Sequence, residues 1–247
     1  MENLDFLTPE ENEARNKFLE KFSPERIAEI SDDEIALRLY GKDSNSLIHN
    51  MHYNTELRDI FGSIPHHPNV ADPIYQKNDN TWKKGKGKSS FQEAQQIAIE
   101  TKKYILKINE LIADNKFDDL FNYLNKNEKF FSKAAIHKYL CVLYPKYFLY
   151  WHTQDRFKEY KEILKLKDNN IFIVEKYFWD NKNNIEDFNM KDETKKLDQQ
   201  LIEKYQGDNM DDTSYLVSII KALKNLGGQA PLSKIYSKVR YIRHQEN

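Results

Sequence analysis

SFQEAQQIAIETKKYILKINELIAD, residues 90–114, carries the period that decides the fold. Ile97, Tyr104, Ile105, Ile108, Leu111 and Ile112 recur at helical spacing, which gives one long helix an apolar face. Ser90 followed by Glu93 has the form of a capping box, so the helix is expected to open there and to run to Asp114. Working outward, the same grammar repeats. Thr8-Pro9-Glu10-Glu11 combines a capping threonine, a proline at the first helical position and a glutamate reaching back, which predicts a helix from Pro9 to about Phe22. Ser23-Pro24 starts another. Ser31-Asp32-Asp33-Glu34 repeats the box ahead of Ile35, Leu39 and Tyr40, and Gly41 ends that helix. Shorter helices are expected at Phe117 to Leu124, Ser132 to Tyr144 and Gln154 to Leu164. Only 7 Gly and 7 Pro punctuate 247 residues. The expected class is therefore mainly α, a multi-helix globular domain.

One stretch breaks the pattern. From Gly62 to Ser89, Pro65, Pro68, Pro73 and the turn-rich Lys77-Asn78-Asp79-Asn80 mark a loop insertion, with a small hairpin expected between Ile74-Tyr75 and Thr81-Trp82. Beyond Leu164, Ile171, Val174, Tyr177 and Phe178 suggest a short helix, and Asp192 to Tyr205 resumes helical spacing. Boundaries are accordingly expected at 1–164 for a main helical domain, 165–211 for a helical connector and 212–247 for a small terminal unit.

Composition excludes several classes. Hydrophobic residues at 39% and aromatics at 13% are too rich for a disordered chain. No apolar run reaches the roughly 18 residues of a membrane span, and the acidic start lacks a signal-peptide layout, so a cytoplasmic protein without membrane contact is expected. The formal net charge is only -1, but it is unevenly placed. Eleven acids face four bases between Met1 and Glu34, whereas six bases face the single Glu246 from Ser214 onward. Phosphate would be repelled at the first end and attracted at the second.

The candidate chemistry is sparse. Lys83-Lys84-Gly85-Lys86-Gly87-Lys88 precedes the long helix and reads either as a solvated loop or as a contact for a nucleic-acid backbone. It lacks the Gly-x-x-x-x-Gly-Lys-Ser/Thr spacing of a phosphate loop. Lys234, Lys238, Arg240 and Arg243 form the second basic cluster. His49 and His52, and His66 next to His67, have no third partner at metal-ligand spacing, so no metal and no cofactor are expected. Cys141 lies in an apolar helix and reads as a buried structural thiol. Tyr147, Tyr150 and Trp151 end an aromatic stretch that packs a core or stacks on a base. Asp155 and Glu159 read as surface ion-pair partners, and no catalytic residue is assigned.

Two resemblances extend this reading. Leu57-Arg58-Asp59-Ile60-Phe61-Gly62-Ser63-Ile64, then Trp82, the long helix, Ala134-Ala135-Ile136-His137-Lys138-Tyr139-Leu140 and Tyr144-Pro145-Lys146-Tyr147-Phe148 form an ordered set. It resembles the helical N-terminal region of McrB-type proteins of modification-dependent restriction, over roughly Leu39 to Leu164. Pro65-His66-His67-Pro68 stands where that family has a glycine-rich continuation, and the nucleotide-driven motor is absent. Asp212 to Asn247, with Gly227-Gly228 and Pro231, is similar to the opening of the winged-helix domain of Mrr-type restriction enzymes. It is expected to be a partial winged helix or a helical pair. The resemblances imply a non-catalytic recognition or regulatory module of a prokaryotic restriction or anti-phage defence system. Its implied partners are DNA and a defence-system protein, with a homo-oligomer open. The rival readings are a fragment of a nuclease whose catalytic domain lies elsewhere, and a protein-interaction adaptor without nucleic-acid affinity.

Overall fold

The computed structural model describes residues 4–61, 73–85, 87–126, 133–150, 154–168, 170, 172–182 and 188–207, together with 219, 222, 223 and 239. The chain is mainly helical: α1 (Pro9–Phe22), α2 (Pro24–Glu29), α3 (Ile35–Tyr40), α4 (Leu47–Tyr53) and α5 (Thr55–Phe61) precede three short strands, β1 (Tyr75–Gln76), β2 (Trp82–Lys84) and β3 (Gly87–Ser89). Then follow α6 (Phe91–Ala113), α7 (Phe117–Lys126), α8 (Lys133–Leu143), α9 (Gln154–Ile163), α10 (Ile173–Asn181) and α11 (Met190–Gly207). The chain divides into compact units 1–194 and 195–247, a division that falls within α11.

The caps behave as the sequence predicts at one end and depart from it at two others. Thr8 accepts from the Glu11 amide while Glu11 returns to the Thr8 amide, so the box before α1 is complete. Ser90 accepts from the Glu93 amide, but the Glu93 carboxylate turns away to Lys84 and Ser89. At Ser31 the expected box gives only a turn, and α3 begins at Ile35 without a side-chain cap.

In the first unit α6 lies across α3 and α2, and α7 folds back on it. The apolar stripe read from residues 90–114 is the face that packs, with Tyr104, Ile105, Ile108, Leu111 and Ile112 buried. α8 is different in kind. Every residue from Ala135 to Leu143 is buried, as a helix surrounded by others requires. Its polar side chains each bind a different element. His137 Nε2 meets Glu175 Oε1 on α10, Lys138 Nζ donates to the Met51 carbonyl on α4 at 2.8 Å, and the Tyr139 hydroxyl donates to the Phe22 carbonyl of α1 at 2.9 Å. Arg15 of α1 donates to the Val142 and Leu143 carbonyls, both at 3.0 Å, satisfying the orphan acceptors of the α8 terminus. None of the described helices is long and apolar enough to cross a membrane.

Of the insertion, residues 73–85 and 87–89 are described, and they hold a small sheet. Tyr75 pairs with Lys83 and Gln76 with Trp82, and β2 then pairs antiparallel with β3. Within the stretch Lys83 to Lys88, Lys83 and Lys84 belong to β2, Gly87 and Lys88 to β3, and Gly85 begins the turn between them. The turn forms because Gly85 takes a positive φ of 55°, which glycine adopts without a Cβ clash. Asn80, at φ 65°, does the same for the first turn, where the Lys77 amide donates to the Thr81 carbonyl. Trp82 turns into the main core and anchors this small sheet.

Candidate functional site

Side chains on residues directly opposite in an antiparallel pair project from the same face. Tyr75, Lys83 and Lys88 therefore form one row across β1, β2 and β3, and Trp82 and Lys84 project from the opposite face. Lys83 and Lys88 face each other as like charges, and neither makes an ion pair among the described residues. Lys84 is committed elsewhere: its Nζ lies 2.8 Å from Glu93 Oε1. That bond from Lys84, with a second from Ser89, lowers the Glu93 carboxyl pKa. Of the expected basic residues, then, Lys83 and Lys88 are presented together and Lys84 is not. Lys86 and the set Lys234, Lys238, Arg240 and Arg243 lie outside the described residues, as does the expected terminal helical unit apart from a small cluster of Ile219, Ala222 and Val239.

The Tyr75 face borders a cleft of about 570 Å³. Tyr40, Gly41 and Ile48 lie along its buried side, His49 and Tyr53 of α4 form one wall, and Tyr75 to Asp79 form the other. Gly41 is required there, since a Cβ would come within 2.4 Å of the Leu37 carbonyl oxygen. Tyr53 is 46% exposed, and its ring lies 5.0 Å from that of His49. The walls are tied together where Lys42 Nζ donates to the Asn78 carbonyl at 2.9 Å. Asp79 is occupied by the Thr81 hydroxyl and amide, which lower its pKa. The cleft is not legible in the sequence, where His49 and His52 read only as candidate metal ligands and Tyr53 and Tyr75 sit in unremarkable contexts. The one available signal was the cluster of turn residues at 77–80 beside an aromatic.

Two of the aromatic candidates, Tyr147 and Tyr150, are partly buried and pack against the core. Tyr150 stacks on Phe61 at 5.5 Å and 26°, and its hydroxyl is buried without a hydrogen-bond partner among the described residues. Tyr147 packs edge-on against Phe117 and Trp179. Trp151 lies outside the described residues, as do His66, His67 and the side chain of Asp155. A second polar cluster is fully enclosed. His137 is stacked on Phe172 and met edge-on by Phe157 and Phe148, and Glu175 Oε2 has no partner among the described residues. Among the described residues no three His, Cys, Asp or Glu side chains gather as metal ligands would.

Cys141 is fully buried, and burial, with Glu175 nearby, pushes its thiol pKa well above the usual value. The thiolate is the reactive species, so a thiol reagent should label native Cys141 no faster than the chain unfolds. Rapid labelling, followed by absorbance in native buffer, would contradict this placement.

In comparisons with known proteins the chain matches no family model, no curated protein and no solved structure.

Proposed function

We propose that this protein is a non-catalytic recognition or regulatory module of a prokaryotic restriction or anti-phage defence system, and that it holds DNA by the phosphate backbone at the β2–β3 hairpin. The observation that carries the reading is the Lys83–Lys88 pair. Like charges directly opposite on one sheet face destabilise the pairing, so their juxtaposition without an acid is best accounted for by an anion that lies over both. A phosphate chain is such an anion, and the order of segments resembling McrB-type proteins supplies the defence context. Contacts to phosphate position a protein without reading sequence.

Replacing Lys83 and Lys88 together by Ala is expected to weaken binding to all duplex sequences alike. The slope of log affinity against log salt should become shallower by roughly 1.8, about 0.9 per phosphate contact removed. Lys84→Ala should alter that slope far less, because its ammonium is engaged by Glu93. Fluorescence anisotropy at several salt concentrations measures both. An unchanged slope in the double variant would leave the adaptor reading in its place.

A further inference from the structure

We infer that the cleft between α4 and the β1–β2 turn is a binding site for a single nucleotide whose base is unpaired, and that His49 selects it by accepting a hydrogen bond from the base. The volume of about 570 Å³ lies within the roughly 300–1,000 Å³ of small-molecule sites, enough for one base with its sugar. Its lining includes three aromatic rings: Tyr53 and His49 from α4, and Tyr75 from the sheet. Stacking on such faces is available to any base.

Charge decides which planar ligand fits. An aromatic lining also suits an organic cation, but here two cations, Lys42 and Lys77, stand against one carboxylate, Asp79, among the lining side chains. Lys83 and Lys88 continue the positive charge along the same sheet face as Tyr75. A ring that carries an anionic group, with the phosphate toward Lys77, matches this arrangement, and a bare cation does not.

The polarity of His49 adds selectivity. Its Nδ1 lies 3.0 Å from the Lys42 carbonyl oxygen. A carbonyl only accepts, so Nδ1 carries a ring proton, and an imidazole with that single proton offers Nε2 as an acceptor. The ligand must therefore offer an N–H. Bases offer such donors on their pairing edge, and a base that packs among the cleft's rings must leave its helical stack, so a base within a duplex does not fit. Either a free nucleotide or a nucleotide in a single strand supplies the same chemistry. This assignment goes beyond backbone binding by the hairpin and does not depend on it.

NMR titration of the isotope-labelled protein tests it with four probes: cytidine monophosphate, its N4,N4-dimethyl analogue, a cytidine-rich single-stranded 12-mer, and the same strand in a duplex. Cytidine monophosphate should shift the resonances of Tyr53 and Tyr75 and bind about 3- to 10-fold more tightly than the dimethyl analogue, the effect of one hydrogen bond. His49→Phe should keep the ring and equalise the two ligands, and Tyr53→Ala, at an exposed position, should lose about tenfold without unfolding. Shifts at the cleft with the mononucleotide identify a free ligand, and shifts with the 12-mer alone identify a strand; both support the site. If none of the probes moves the cleft resonances, or if both cytidines bind equally to the unmodified protein, the assignment falls. Duplex binding that depends on Lys83 and Lys88 but leaves the cleft unmoved would sustain the hairpin reading and overturn this one. Mononucleotide binding without any DNA affinity would do the reverse.

Discussion

Glu175→Ala should be among the most damaging single substitutions in this protein, lowering stability by about 3 kcal/mol or more, because breaking one side of a buried polar pair leaves the other uncompensated. His137 and Glu175 are both fully buried, and aromatic rings close around the imidazole. At roughly 2–4 °C per kcal/mol for a chain of this size, the melting temperature should fall by about 10 °C. Replacing both partners by apolar residues, His137→Phe with Glu175→Leu, should recover much of the loss, since neither polar group is then stranded. Calorimetry of the single and double variants measures the difference. A single variant that melts within 2 °C of the parent would show that the pair does not hold α10 to α8.

The second large effect has the opposite sign. Lys138 is fully buried and bonded to one carbonyl, and burial pushes its pKa down to about 8, with Arg58 adding to the shift and Cys141 opposing it. Below pH 8 the ammonium is charged in both folded and unfolded chains, and the fold carries the cost of burying it. Between pH 8 and about 10.4 the unfolded chain binds the extra proton, so this group makes stability rise with pH. The full swing corresponds to about 3 kcal/mol. Tyr139, Tyr144 and Tyr150 have pKa values raised by burial, and their contribution is lost above the ordinary tyrosine value near 10. Cys141, whose thiol pKa burial also raises, opposes the rise once the unfolded thiol ionises at about 8.5, so below pH 9.5 the Lys138 contribution is read as the difference between the parent and a Lys138 variant. Lys138→Met should be more stable than the parent at pH 7 by about 1–3 kcal/mol, less whatever the stranded Met51 carbonyl costs. That advantage should shrink as the pH rises from 8 to 9.5, because only the parent gains from Lys138. Urea denaturation of both proteins at pH 7, 8 and 9.5 decides the matter; a gap that does not narrow would refute it.

What the sequence made legible follows the range of the forces involved. α1 and α6 are set by local chemistry, a cap at Thr8 or Ser90 and an apolar stripe, and their predicted spans agree with those observed to within a residue. β3 was invisible because three residues of Gly-Lys-Ser carry no alternation; they form a strand because β2, anchored by Trp82, offers them an edge. The hairpin lysines could be read as a basic cluster, but which of them is presented depends on register, and Glu93 capturing Lys84 is a tertiary event. The cleft was hidden for the same reason: Tyr53 and Tyr75 stand 22 positions apart, and nothing local says they share a wall. His137 and Lys138 look out of place in an apolar helix until α10 and α4 provide Glu175 and the Met51 carbonyl.

The enclosure of α8 bears on how the chain is made. The bonds that hold this helix join residues 127, 117 and 87 positions apart: Arg15 with Val142, Phe22 with Tyr139, Met51 with Lys138. Long-range closures of this kind slow folding. During synthesis α1 to α7 leave the ribosome before the helix they surround exists, and Phe18, Phe22, Leu57 and Phe61 have nothing central to cover. A nascent chain halted before Lys133 would thus present sticky apolar surface to chaperones and proteases, and assembly of the first unit waits on the emergence of one eleven-residue segment.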